Sequence, residues 1–247
     1  MIETTPGIII SFVLYLIFML LIGWIFYRRT QNLSDYILGG RGLNTWVTSM
    51  SAQASDMSGW LLLGLPGYAY IAGLESIWIA VGLAVGTYFN WRFIAQRLRK
   101  YTQIAGNSLT LPDYFENRFR ANSKILRIVS ALFILIFFLI YTASGFVAGA
   151  KLFNTVFGLS YIGALSIGVL VIIAYTFLGG FMAVSWTDFF QGMLMFIAIL
   201  VVPLIAIGTM GGIDSTAASI NAKNSELLNA LTQIDGTTIS AISIISL

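Results

Sequence analysis

Long apolar segments constrain this sequence more than any other feature. Six stretches of predominantly apolar residues follow one another, and only 9% of the 247 residues are charged. Because a helix rises about 1.5 Å per residue, about 20 residues cross the hydrocarbon core of a bilayer, which is about 30 Å thick. The sequence therefore predicts an all-α membrane protein with six transmembrane spans, at residues 7–27, 46–68, 76–95, 125–153, 161–181 and 189–210.

Basic residues divide unevenly between the two sets of connections. Arg28, Arg29 and Arg41 follow the first predicted span, and eight more arginines and lysines lie around the connection between the third and fourth spans. Only Lys151 and Lys223 fall on the opposite side. Because cytoplasmic loops carry the excess of lysine and arginine, we expect a multi-pass protein of the cell membrane with its N-terminus outside.

Three segments lie outside the six predicted spans. The connection at 97–124 is either a solvated loop with orienting charges or contains a short amphipathic helix at the membrane surface. Residues 211–236 are polar and predict a surface loop. A seventh apolar segment begins near Thr237 and stops at Leu247, which is too short to cross a bilayer. We therefore expect the chain to be a fragment that ends inside an element.

The composition excludes most enzyme chemistry. The sequence contains neither cysteine nor histidine, which excludes thiolate nucleophiles, disulfides, imidazole bases and Cys or His metal sites. The predicted spans also lack the paired carboxylates needed for general acid/base catalysis. We expect no enzyme activity and no nucleic-acid partner.

The second predicted span is too polar for a lipid-facing helix. Its residues 48–60 are rich in serine, and Asp56 is the only charged residue placed well inside any predicted span. A charge at that depth costs about 2.5–3.5 kcal/mol to insert and needs compensation. Gly64, Pro66 and Gly67 follow, and such residues weaken a helix. We interpret the span as a helix broken near Asp56, although these residues could also mark its outer end.

A hard cation could compensate Asp56. Sodium takes oxygen ligands of the kinds available here, namely carboxylate, hydroxyl and the backbone carbonyls of an unwound helix. Secondary transporters place ion and solute sites in such discontinuous helices. Two alternatives stay open, because Asp56 could hydrogen-bond a neighbour without any ligand, or could carry a proton in place of sodium.

Two other polar residues also have more than one interpretation. Tyr141, in the fourth span, could line a binding site or could be a buried aromatic residue with one hydrogen bond. Asp188 lies at the predicted inner turn before the sixth span. We expect Thr187 or Asp188 to be the N-cap of that span.

Several runs of the sequence resemble the sodium:solute symporter family. They comprise residues 35–41, 54–60 with 64–67, 109–115, Tyr141 with 143–145, and 179–181 with 185–188. The resemblance covers essentially the whole chain. Its most specific part is the Ser-Asp-Met-Ser-Gly-Trp run at 55–60.

The resemblance implies a five-plus-five inverted-repeat (LeuT-type) transporter with one extra N-terminal helix. Residues 1–45 would form that helix and an inner loop, residues 46–210 the first repeat with a broken first helix, and residues 211–247 an outer loop and the start of the next helix. Family members continue into a second repeat, which is absent here. We expect residues 1–247 alone not to transport, because the first repeat lacks the partner against which it moves.

The resemblance also implies sodium-coupled import of proline or a similar small solute. The residues implied in sodium binding are Ala54, Asp56 and Met57, with Ala54 and Met57 contributing backbone carbonyls. Those implied near the solute are Ser58, Gly59 and Tyr141, and those implied in the transport cycle are Arg41 and Asp188. A cation channel, a sodium-dependent receptor and a symporter of another small organic solute remain alternatives.

Overall fold

The computed structural model describes residues 6–240 and 243–244, and the regular elements in these residues are helices. One isolated antiparallel bridge joins Thr232 and Thr238. The α-helices are α1 (Pro6–Tyr27), α2 (Leu33–Leu38), α3 (Thr45–Ser55), α4 (Leu65–Ala72), α5 (Ile77–Phe89), α6 (Gln96–Ile104), α7 (Leu111–Arg118), α8 (Ile125–Phe157), α9 (Tyr161–Thr209) and α10 (Ile213–Lys223).

The chain forms two compact units. Unit 1 combines the described residues of Met1–Gly59 with Leu109–Phe196, and unit 2 combines Trp60–Ser108 with the described residues of Ile197–Leu247. The helix α3, the helix α8 and most of α9 therefore belong to unit 1.

Several helices are long and apolar enough to cross a membrane, which confirms the all-helical membrane protein expected from the sequence. Among the residues described there are four such segments, namely Pro6–Tyr27, Trp60–Ile104, Ile125–Phe157 and Tyr161–Thr209. This number is smaller than the six predicted spans because the last segment joins the fifth and sixth predicted spans. Likewise, the second segment joins the end of the second span to the third.

A bend at Gly180 divides α9 into two arms. The helix has 49 residues, and a straight helix of that length would extend about 74 Å, more than twice the thickness of a bilayer core. Gly180 has φ 57° and ψ −150°, a backbone conformation that is essentially restricted to glycine. We call residues 161–179 the first arm and residues 181–209 the second arm.

Gly73 divides the segment Trp60–Ile104 in a similar way. It follows the last residue of α4 and has φ 67° and ψ −138°, again a glycine conformation. The helix that contains the third predicted span continues beyond Ala95 to Ile104. Residues 96–104 contain arginine, lysine, leucine and glutamine, which favour a helix in water as well as in a membrane.

The predicted surface loop at 211–236 is wrong in part. Its residues include α10 and a 3₁₀ helix, Ser225–Leu228. Asp214 lies in the first turn of α10 and Lys223 in its last turn, where their charges complement the helix dipole.

The connection at 97–124 contains a helix, whereas the described start of the seventh apolar segment does not. Residues 111–118 form α7, so the helical alternative is observed in that connection. At the seventh apolar segment, residues 237–240 are not helical, and the Ile239 N–H donates to the Leu231 carbonyl at 2.9 Å. Residues 241–242 and 245–247 lie outside the described residues.

The core of unit 1 lies between α1 and the second arm of α9. Ile22 and Phe26 of α1 pack with Ala183, and the partly buried Met182 and Trp186 pack against this cluster. Farther along the second arm, Ser185 and Thr187 are fully buried. This packing fixes the start of the second arm, which carries Asp188.

Candidate cation and solute site

The helix α3 ends where the sequence becomes most polar. Its start is capped by the Asn44 side chain, which accepts from the Val47 N–H at 2.8 Å. Its last residue is Ser55, and residues 56–58 are not helical. The last carbonyls of a helix lack partners within it and carry the negative end of its dipole. The chain thus presents an oxygen-rich, negative helix end at this position.

Two carbonyls at this helix end already accept backbone hydrogen bonds. The Asp56 N–H donates to the Ala52 carbonyl at 3.2 Å, and the Met57 N–H donates to the Ala54 carbonyl, also at 3.2 Å. A carbonyl has two lone pairs and can accept a second partner. The Ala54 carbonyl can therefore still take part in cation binding.

Tyr141 of α8 reaches the same helix end. Its hydroxyl donates to the Ser55 carbonyl at 3.0 Å and lies 3.4 Å from the Met57 carbonyl. Gly59 packs closely on α8, because a Cβ at this position would lie 3.2 Å from the Ser144 carbonyl oxygen. Gly59 and Tyr141, two of the residues implied near the solute, therefore both lie at the interruption after α3, and Ser58 lies within it.

Asp188 contacts the last turn of α3 from the second arm of α9. It is buried, with 8% of its surface exposed. Its Oδ2 accepts the Ser51 hydroxyl at 2.9 Å and the Ser55 hydroxyl at 2.7 Å. The two serines lie four residues apart and share one face of the helix. Hydrogen bonds to a carboxylate are stronger than neutral ones, so Asp188 holds this turn firmly.

The predicted N-cap role of Thr187 or Asp188 is therefore wrong. The second arm begins directly after Gly180, so both residues lie inside the helix. The Thr187 hydroxyl donates to the Val184 carbonyl at 2.8 Å, and the Asp188 carboxylate binds side chains of α3 rather than the start of its own helix.

Asp56 has a different environment from the one its position in the sequence indicated. Its side chain is exposed. Among the described residues its carboxylate makes no hydrogen bond or ion pair. The buried carboxylate of this site is instead Asp188, which lies inside α9. The physical reason is that Asp56 follows the last turn of α3, whereas Asp188 lies between two packed helices.

Arg41 lies in the segment directly after α2. It ends the 3₁₀ turn Gly39–Arg41 and has a left-handed φ of 58°. Gly39 in the same turn packs on Met182, since a Cβ at Gly39 would lie 2.6 Å from the Met182 sulfur. The turn that carries Arg41 therefore contacts the second arm of α9.

Several polar residues in this region make contacts that the sequence did not indicate. Ser51 and Ser55 bind Asp188, the Gln191 side chain donates to the Tyr15 hydroxyl, and the fully buried Ser185 hydroxyl has no hydrogen-bond partner among the described residues. One signal was available, because Ser51 and Ser55 have the spacing of neighbours on a helix face. The partner helix could not be identified from that spacing.

The donors at the interruption are oxygens. Carbonyls of residues 54, 55 and 57 and the Asp56 carboxylate lie within four consecutive residues. The described residues contain no cluster of three or more Asp, Glu, His or Cys side chains that could hold a metal ion. Carbonyl and carboxylate oxygens suit a hard cation such as sodium, so the donor set fits this ion better than a transition metal.

Comparison with known proteins identifies the family. The sequence profile of the Sodium:solute symporter family matches residues 36–246. The chain belongs to the sodium:solute symporter family. This confirms the resemblance based on the sequence runs, and the long apolar helices fit a multi-pass membrane protein.

The relatives include named proline transporters. The chain is 51% identical over 228 residues to the sodium/proline symporter of Escherichia coli, which covers 92% of this chain and 45% of the relative. It is 49% identical over 222 residues to the osmoregulated proline transporter OpuE of Bacillus subtilis, with 90% and 45% covered. It is 50% identical over 211 residues to the high-affinity proline transporter PutP of the same species, with 85% and 45% covered. The chain spans less than half the length of these relatives, and no solved structure matches it.

Proposed function

We propose that this chain forms the first half of a sodium-coupled symporter that imports proline, or a similarly small solute, across the cell membrane. The proposal rests on the arrangement at the end of α3 in unit 1. Backbone carbonyls lie there beside the Tyr141 hydroxyl, and the Asp188 carboxylate accepts hydrogen bonds from two serines of the last helical turn. The names of the relatives support proline as the solute.

The glycine bends support six membrane crossings. Gly73 separates α4 from α5, and Gly180 separates the two arms of α9. With these divisions, α1 is the extra helix and five crossings follow it as the first inverted repeat. The distribution of arginine and lysine favours an N-terminus outside the cell. The second repeat of the symporter lies outside residues 1–247.

Sodium binds at the negative end of α3 in this mechanism. Ala54 and Met57 supply carbonyl oxygens, and Asp56 supplies a carboxylate. The exposed Asp56 carboxylate has no partner among the described residues and is therefore available to a cation. The other ligands come from the second repeat. Bound sodium neutralises this helix end and favours the outward-open form, which then accepts the solute.

The solute binds beside the sodium, near Ser58, Gly59 and Tyr141. The Tyr141 hydroxyl contacts the Met57 carbonyl, which we also assign to sodium. A solute that displaces or reorients this hydroxyl changes the oxygen available to the ion. This shared contact provides a direct physical link between solute binding and sodium binding.

Asp188 and Arg41 act in the transport cycle from the second arm and the inner segment. Asp188 holds the last turn of α3 through Ser51 and Ser55. Because Ala54 lies in the same turn, a change in this contact alters the sodium site. Arg41 lies in a turn that packs on the second arm, so both residues act on the position of that arm.

The experiment uses a completed chain, defined as residues 1–247 continued by the second half of the Escherichia coli relative. It is reconstituted in lipid vesicles, and uptake of labelled proline is measured under an inward sodium gradient with the inside negative. One charge moving through 100 mV contributes about 2.3 kcal/mol, which supports roughly fiftyfold accumulation. We expect accumulation with sodium, none when choline replaces sodium, and none with residues 1–247 alone.

Two results would contradict the proposal. One is the absence of sodium-dependent uptake by a completed chain that is folded and inserted, as judged by gel filtration and protease protection. The other is uptake driven by a proton gradient at constant sodium, which would assign proton coupling instead. The intact Escherichia coli symporter serves as the positive control in the same vesicles.

A further inference from the structure

The segment 33–41, which ends at Arg41, is shaped by its own backbone contacts. Asn32 caps α2, because its side chain accepts from the Asp35 N–H at 2.9 Å. Gly39 ends α2 in a left-handed conformation with φ 60°. These two caps shape the segment into a short helix followed by a tight turn, which presents Tyr36 and Gly39 to α9.

Tyr36 covers the bend of α9 at Gly180. Its hydroxyl lies 3.3 Å from the Phe177 carbonyl oxygen and 3.5 Å from the Thr176 carbonyl oxygen. These carbonyls belong to the last turn of the first arm, where carbonyls lack partners within the helix. Its ring lies directly on the bend, because a Cβ at Gly180 would be 2.7 Å from the Tyr36 Cδ2 atom.

The same segment also contacts the second arm. Gly39 packs on Met182, two residues beyond the bend. The segment therefore contacts the end of the first arm, the bend itself and the start of the second arm. A change in the angle between the arms must break at least one of these contacts.

A closely packed stretch of helix joins the bend to Asp188. Between Gly180 and Asp188, the residues Ala183, Ser185 and Thr187 are fully buried. Trp186 stacks on Phe26 of α1, with ring centroids 6.1 Å apart. A close-packed helix moves as a rigid element, so a change of angle at Gly180 shifts Asp188, about 12 Å along the helix. Asp188 in turn holds the last turn of α3.

We propose that Tyr36 is a positioning residue that fixes the bend of α9 and thereby holds Asp188 against Ser51 and Ser55. It contacts neither sodium nor solute. It acts through the bend on the turn of α3 that carries Ala54. The expected effect on transport rests on the proposed function, whereas the expected effect on the bend does not.

The test compares three variants of the completed chain. Tyr36→Phe removes only the hydroxyl, Tyr36→Ala also removes the ring, and Tyr27→Phe is the matched control at an exposed tyrosine at the end of α1. Hydrogen exchange of the amides in residues 176–188 is measured in lipid nanodiscs. We expect Tyr36→Phe to raise their exchange rate about threefold, since one weak hydrogen bond is lost. We expect a larger increase for Tyr36→Ala and none for Tyr27→Phe.

Sodium dependence of proline uptake separates positioning from a general loss of folding. We expect Tyr36→Phe to raise the sodium concentration for half-maximal uptake about threefold, with the proline KM at saturating sodium unchanged. The proposal is overturned if exchange in residues 176–188 is the same for Tyr36→Ala as for Tyr27→Phe. It is also overturned if only the maximal rate falls. Failure of the completed chain to take up proline at all would reject the proposed function, while the exchange measurement would still test the positioning role.

Discussion

Two carboxylates near the end of α3 have opposite environments. The difference suits one of them to holding the helices together and the other to binding a cation. Asp188 is buried and accepts two serine hydroxyls. Asp56 is exposed and, in the part of the chain that is described, has no hydrogen-bond or ion-pair partner. A carboxylate already occupied by hydroxyl groups holds a helix in place. A carboxylate without partners remains available to a cation.

Removal of the buried carboxylate should have the largest effect. Asp188→Ala eliminates two hydrogen bonds to a charged group and leaves the buried Ser51 hydroxyl without its acceptor. We expect the free energy of unfolding of the completed chain to fall by about 3 kcal/mol, measured by denaturant titration in micelles, and uptake to be lost. Asp188→Asn, which keeps an acceptor oxygen, should lose less stability. Equal stability of Asp188→Ala and the unchanged protein would contradict the structural role.

Removal of the charge from the exposed carboxylate should change the sodium dependence of uptake rather than the stability of the fold. In Asp56→Asn the side chain keeps its shape and loses its charge. We expect the sodium concentration for half-maximal proline uptake to rise about tenfold, which corresponds to roughly 1.4 kcal/mol of lost attraction. The free energy of unfolding should change by less than about 0.5 kcal/mol, as is usual for an exposed position. Unchanged sodium dependence would reject the assignment of Asp56 to the cation.

Tyr141 connects the two parts of the site, and its variant should have an intermediate effect. Tyr141→Phe removes the hydroxyl that donates to the Ser55 carbonyl and contacts the Met57 carbonyl. We expect the proline KM and the sodium requirement to increase together, by about fivefold each, since one hydrogen bond of about 1 kcal/mol is lost. Kinetics of uptake over a grid of sodium and proline concentrations measure both. An increase in only one of them would argue against a shared contact.

Single serine variants should have the smallest effects. Ser51→Ala removes one of the two hydrogen bonds to Asp188 and leaves the bond from Ser55. We expect a loss of about 1 kcal/mol in the free energy of unfolding, and a somewhat greater loss when both serines are replaced. A double-mutant cycle with Asp188→Asn measures their coupling. Additive effects would show that the serines do not act through Asp188.

The continuous apolar segments were the easiest part to predict. The first span, predicted at 7–27, corresponds to α1 at Pro6–Tyr27, and α8 begins at Ile125 as predicted. These boundaries are marked by charged or polar residues on either side, and the need to cross a bilayer fixes the length. The runs that indicated the family were likewise local features.

Boundaries set by contacts with distant segments were harder to predict. The residues around Gly180 are apolar and gave no separate signal, so the turn was placed several residues too late. Its position depends on Gly180, on which Tyr36 packs. The helical continuation to Ile104 and the helix α10 were missed for a related reason, since a polar composition does not by itself end a helix.

The sequence by itself indicated a multi-pass membrane protein of the symporter family with an unusually polar segment around Asp56. Only the tertiary structure decided which carboxylate is buried. Asp188 and its two serine partners are separated by 137 and 133 residues along the chain. Burial depends on which distant helix packs on a side chain, and that is a property of the folded chain rather than of any local pattern.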